Sequence, residues 1–269
     1  MNDAAKPTGD LALYEELVGD AAKKALERAR AKKTSFAVRA YVCPGPQKRV
    51  LVSVGEAHLK LEAASEIGKA VVGGFELRGV ETFQRKDVLL GGVLGVLIHL
   101  PRQVLRAVAM GRVKDSTIVD AKALSFGHTV ELEKTEVVPA ALHAASVYLV
   151  VFFVVAWVEL LLMIAGFFSG NVEARLAPAM ATLTYASWII QLHLLLLFPA
   201  WLLRKKSWAW LVHPAIGLVT ARDTLMADGT VRMFAAHPEP SSAVVVMGRA
   251  HLPGYEQELV ERHGFRRIF

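Results

Sequence analysis

The chain has 269 residues, a formal charge of +6 and a hydrophobic fraction of 54%, above the roughly 45–50% of ordinary soluble domains. That length suits one sizeable domain or two small ones. Its single cysteine, Cys43, excludes an intrachain disulfide framework and fits a reducing compartment. Its basic runs carry no interleaved stacking aromatics, so no nucleic-acid partner is expected.

Residues 1–34 divide into a loose tail and an amphipathic helix over Leu11–Lys33, with Leu13, Leu17, Ala21 and Ala25 at helical spacing. Ser35–Val42 alternates as a strand and stops at the turn Cys43-Pro44-Gly45-Pro46. Arg49–Val54 is a second strand, Leu61–Val72 a helix and Phe75–Val80 a further strand ending at Glu81. This β-α-β order predicts parallel strands joined by a right-handed crossover. Val88–Leu100 is apolar but too short to span a bilayer, and it reads as a core or interfacial helix continued by Arg102–Met110. A helix over Ser116–Phe126 and a strand over Thr129–Leu132 complete the segment 35–140.

Two apolar blocks follow within 141–206. Ala144–Phe168 contains one charge, Glu159, and Met180–Leu203 contains none, though Gln191 and His193 interrupt it. As helices they would reach about 36–38 Å, more than a hydrocarbon core of about 30 Å. They are expected to form a two-span transmembrane hairpin. Arg204-Lys205-Lys206 and the neighbouring Trp201, Trp208 and Trp210 mark its inner boundary. The expected setting is thus the cell membrane, with the bilayer as a partner and the soluble part cytoplasmic. Glu159 and His193 are expected to bond between helices. A pore built from two spans would need a homo-oligomer. In the last segment, 207–269, Ala215–Ala236 is a helix, Ala243–Met247 a strand and Pro253–His263 the closing helix.

The chemistry-bearing feature is a repeated phrase. Val52-Ser53-Val54-Gly55-Glu56-Ala57-His58-Leu59 returns as Val245-Val246-Met247-Gly248-Arg249-Ala250-His251-Leu252. Each is a buried-strand pattern, then a glycine for a tight turn, then a histidine just beyond the strand's carboxyl end. In open α/β sheets that edge is where ligands bind. If the two strands are neighbours, His58 and His251 converge. Paired histidines with a carboxylate suit a divalent metal (Mn, Co, Zn or Fe), with His58, His251 and Glu81 as ligands. Glu56 and Glu81 are the candidate general bases. Arg222 is a candidate catalytic and substrate-binding clamp for a carboxylate or oxyanion. The other histidines share no repeated setting.

These residues resemble the TraB family, which includes PrgY-like and Tiki-like proteins. GEAH at 55–58, the helix after it and FELRGVETFQR at 75–85 are similar to that family's opening, with Glu81 closing a strand and Arg85 four positions beyond. TARDTLMADGTV resembles the arginine-bearing helix, placing its arginine at Arg222, and VVVMGRAHLPGYEQEL resembles the second glycine–histidine element, placing its histidine at His251. The chain departs from the pattern at Ala221, where an acidic residue usually precedes the arginine, and at Glu133-Lys134, where Asp-Arg is usual. The resemblance implies a compact α/β sheet with flanking helices, of the wider group holding ChaN-like haem-binding proteins and erythromycin esterases, here interrupted by the hairpin. It further implies Arg85 and Arg222 as substrate contacts. The resulting expectation is a membrane-anchored metal-dependent hydrolase, a metallopeptidase acting on a peptide or small amide or ester. The alternative is a non-catalytic membrane protein binding a peptide, haem or small ligand in the same cleft.

Overall fold

A computed structural model of the chain describes residues 8–31, 36–56, 60–82, 113–114, 116–148, 150–151, 168, 181, 192–193, 195–203 and 208–269. The chain divides into two compact units. The first comprises Met1–Phe83, His99–Glu136 and Arg222–Phe269, the second Gln84–Ile98 and Val137–Ala221.

The first unit is built on a six-stranded sheet. Its strands are β1 (Phe36–Val42), β2 (Val50–Glu56), β4 (Leu77–Val80), β6 (His128–Glu131), β7 (Ser242–Gly248) and β8 (Arg266–Arg267), in the order β6-β4-β7-β2-β1-β8. A separate two-residue ladder joins β3 (Lys60–Leu61) to β5 (Val113–Lys114). Strands β6, β4, β7 and β2 are mutually parallel, so their carboxyl ends share one edge. β1 runs antiparallel to β2 through the Gly45 turn, where φ is +108°, a left-handed angle that glycine adopts without steric cost. The expected β-α-β unit is present, and β7 is inserted between its two strands.

Alternation along the strands assigns the faces. Val50, Val52, Val54, Val244 and Val246 pack on one side with helices α1 (Thr8–Leu17), α2 (Asp20–Ala31), α3 (Glu62–Gly73) and α4 (Thr117–Ala123). Leu51, Ala243, Val245 and Met247 pack on the other with α5 (Gly217–Ala236) and α6 (Leu252–Gln257). β2 and β7 are apolar on both faces because both faces are covered. The single helix expected over Leu11–Lys33 is instead two, broken around Val18 and Gly19. Glycine is a poor helix former, and Asp20 begins the next helix with an acid where the helix dipole favours one.

Three close approaches fix this packing. A Cβ on Gly229 of α5 would stand 2.0 Å from the Leu132 carbonyl oxygen, so α5 lies against the end of β6. Gly79 sits between Leu132 and Val245 in the same way. Arg78 of β4 is fully buried, donating to the Phe75 carbonyl at 2.6 Å, to Thr129 Oγ1 at 3.1 Å and to the Phe126 carbonyl.

In the second unit, Tyr148 and His213 bond side chain to side chain at 3.3 Å. Gly217 lies against Ala141, whose carbonyl oxygen would be 2.3 Å from an added Cβ. The two-span hairpin expected over 141–206, and the multi-pass membrane setting drawn from it, are corrected here. Among the described residues no helix is long and apolar enough to cross a membrane. Most of Ala144–Phe168 and Met180–Leu203, including Glu159 and Gln191, lies outside the described residues, as do Val88–Leu100 and Arg102–Met110.

Candidate functional site

β2 and β7 are direct neighbours along their whole length, which brings the two copies of the phrase together. The register is one residue off the sequence alignment of the copies, with Gly55 opposite Met247 and Glu56 opposite Gly248. Gly55 is required by a close approach rather than by a left-handed angle. Its added Cβ would lie 3.2 Å from Arg249 Cα and 3.3 Å from a Leu252 methyl.

The last rungs of the ladder carry the site residues to one edge. The Glu81 N–H donates to the Val246 carbonyl at 3.0 Å, the Leu132 N–H to Val80 at 3.1 Å and the Arg249 N–H to Glu56 at 2.9 Å. Glu81 and Glu133 therefore emerge beside the end of β7. From above, α5 contributes the consecutive pair Arg222 and Asp223, and the turn after β7 contributes His251.

Arg222 is the hub. Its Nη2 donates to Glu81 Oε1 at 2.6 Å and to Glu133 Oε1 at 2.8 Å, and its Nε donates to that same Glu133 oxygen at 3.0 Å. The second oxygen of Glu81 accepts from the Gly248 N–H. His251 Nδ1 lies 2.7 Å from Asp223 Oδ1, while its Nε2 faces Arg222 Nη1 at 3.4 Å and Glu81 Oε1 at 3.6 Å. A carboxylate only accepts and a guanidinium only donates, so the partners assign the imidazole proton to Nδ1 and leave Nε2 the acceptor.

All five side chains are buried, between 3% and 6% exposed. Burial pushes the Glu133 carboxyl up to about 7 against the pull of Arg222, and it pushes Asp223 up to about 6 against His251. Burial also opposes the charge on Arg222, but Glu133 and Glu81 outweigh it and hold the guanidinium above its ordinary value. The asymmetry has a simple cause. One cation is shared by two carboxylates, so Arg222 gains two partners while each acid gains part of one.

Each expected site residue can now be placed. Glu81, Arg222 and His251 come together. Glu56 also lies at the carboxyl edge, 1% exposed, where its oxygens accept from the Thr117 backbone N–H at 2.6 Å and from the Thr117 hydroxyl. It thereby anchors the first residue of α4. His58 and Arg85 lie outside the described residues. Two participants were not anticipated. Asp223 orients the imidazole although it follows the helix arginine rather than preceding it. Glu133 binds Arg222 from the place where the resembled pattern has aspartate, so the signal for it was present as a conservative replacement.

The residues in view fit the expected divalent ion only in part. A separation of 3.6 Å between His251 Nε2 and Glu81 Oε1 is one that a single ion with ligands at about 2.0–2.2 Å spans. Arg222 contacts both of those atoms, however, and so places its own cation between them. Among the described residues no group of three His, Cys, Asp or Glu is arranged to hold a metal. The described cluster supplies two ligands and a resident cation, short of a metal centre.

No protein-family model, curated protein or solved structure matches this chain.

Proposed function

We propose that the carboxyl-edge cluster is a hydrolytic site acting on an amide or ester, with peptides as the leading substrate class, in keeping with the TraB-like resemblance. One observation carries the reading: His251 is held through Nδ1 by the buried Asp223, with Nε2 directed at a guanidinium and a second carboxylate. A base fixed in one tautomer beside a fixed cation is what addition of water to a carbonyl requires. Nε2 takes a proton from water as the water oxygen bonds to the carbonyl carbon. The electron pair displaced onto the carbonyl oxygen is met by Arg222, whose N–H turns from Nε2 to the substrate. Collapse of the tetrahedral species breaks the bond to the leaving group, which recovers the proton from His251. Glu133 and Glu81 keep Arg222 in place, and Arg85 is the expected further substrate contact.

The test is turnover of peptide and ester panels by the purified full chain, with Mn, Co, Zn or Fe added and with a chelator. His251→Ala is expected to lower turnover by about 10²–10⁴-fold, the usual worth of a general base. Absence of turnover under every condition, or turnover that survives His251→Ala, sinks the proposal.

A second reading, binding of a peptide, haem or small ligand without turnover, is favoured by the contact between Arg222 and Nε2 of His251, which occupies the base. A saturable rise in melting temperature with a ligand that is never consumed would select it.

A further inference from the structure

At the opposite edge of the sheet, where the β1–β2 turn meets the end of α5, lies a cavity of about 430 Å³. Its walls include Cys43, Pro44, Pro46, Phe234 and Phe265, with Gln47 as a neutral polar side chain and Arg49 as its one charged group. Arg49 is 8% exposed. Its Nη1 donates to the Phe234 carbonyl and its Nη2 to the Pro238 carbonyl, both at 2.8 Å, and its guanidinium carbon lies 5.6 Å from the Phe234 ring centroid. Two of its five N–H groups are thus spent on carbonyls, and no carboxylate lies within ion-pair distance of it among the described residues.

A permanent cation held against apolar walls with donors left over is costly unless further acceptors complete it, and an anion does so best. Elsewhere in this unit buried guanidiniums meet more acceptors: Arg222 is met by Glu81 and Glu133, and Arg78 by the Phe75 and Phe126 carbonyls and the Thr129 hydroxyl, whereas Arg49 meets two carbonyls alone. Small-ligand sites have this composition: a mostly apolar concavity of roughly 300–1,000 Å³ with few polar groups that fix orientation. We propose that this cavity binds a small monocarboxylate with an apolar body, its carboxylate on the remaining N–H groups of Arg49 and its body against Pro44, Pro46 and Phe265. Cys43 is compatible with that occupant, because burial raises its thiol to about 12 and keeps it uncharged. The site lies along β2 from the Arg222 cluster and is independent of the hydrolase reading.

Octanoate is the probe, with octanol and octylamine as controls that share its tail but lack its negative charge. The full chain is expected to show saturable binding of octanoate in calorimetry, at least tenfold tighter than octanol, and none of octylamine. Arg49→Gln should weaken octanoate at least tenfold and leave octanol unchanged. Arg49 also serves two backbone carbonyls, so Ala235→Trp provides a second variant, filling the cavity from its exposed rim while keeping the guanidinium. It should abolish octanoate binding. Octanol binding as tightly as octanoate, absence of saturable octanoate binding, or octanoate affinity that survives either substitution would overturn the proposal.

Discussion

Gly254 of α6 lies directly beneath the carboxylate of Asp223: a Cβ added there would stand 1.9 Å from Asp223 Oδ2. The glycine is therefore a condition for the Asp223–His251 pair, since any side chain at 254 drives the acid away from the imidazole. Gly254→Ala is expected to cost about 1–3 kcal/mol of stability through overpacking. It should also lower turnover about 10–100-fold, as loss of an orienting partner does. Asp223→Asn should reproduce the loss of turnover without the steric cost. The pair of melting curves and rates checks this. Full activity in both variants would leave His251 oriented by something else.

Arg222 neutralises two buried acids, which makes its loss asymmetric. Arg222→Leu leaves Glu81 and Glu133 buried without their shared cation, and is expected to destabilise by about 3–5 kcal/mol. Arg222→Lys keeps the charge but not the fork, reaches one carboxylate, and should cost about 1–3 kcal/mol. Urea denaturation of the two variants orders them. Equal stability would mean that the fork is not the relevant feature.

Glu133 titrates at about 7 in the folded chain against an ordinary 4.5. A raised acid binds its proton more tightly in the folded state than in the unfolded one. The associated stability is complete below about pH 4.5 and is lost as pH rises through about 7. From Glu133 alone the chain should be about 2 kcal/mol more stable near pH 5.5 than near pH 7.5. Asp223, raised from 3.8 to about 6, adds in the same direction over a lower range. Glu133→Gln should flatten the difference, as read by denaturant midpoints at both pH values. A wild-type midpoint that climbs with pH across this window contradicts the assignment.

Glu56 is bound through both carboxylate oxygens by Thr117. Thr117→Val removes the hydroxyl but spares the backbone N–H. With Glu56 1% exposed, about 1–3 kcal/mol should be lost, while the rate per folded molecule stays unchanged. A selective fall in rate instead would return Glu56 to the chemistry.

Much of this was legible in the residues. The repeated phrase pointed to two buried strands ending at one edge, and β2 and β7 are adjacent and parallel. Glu81, Arg222 and His251 were each named from motif and position, and they meet. Asp223 was hidden because only helix geometry and the missing side chain at Gly254 turn it toward His251. Glu133 sits two residues past a strand whose end could be judged only once α5 was seen against Leu132. The apolar blocks misled for a different reason. Hydropathy and length describe what a segment could cross as a helix, whereas among the described residues no helix is long and apolar enough to do so. The break at Gly19 in the first helix shows that continuity can depend on a single position.

The placement of β7 has a consequence for how the molecule assembles. It is the seventh of the described strands in order of synthesis, yet it occupies the middle of the sheet and bridges β2 to β4. A nascent chain that has not reached residue 248 holds the β1–β2 hairpin and the β4–β6 pair as separate fragments with unsatisfied edges. Closure must await a contact of very large sequence separation, the circumstance that slows folding and prolongs exposure to aggregation. Chaperone dependence during translation, and its relief on release of the last quarter of the chain, would be the cellular trace of that late keystone.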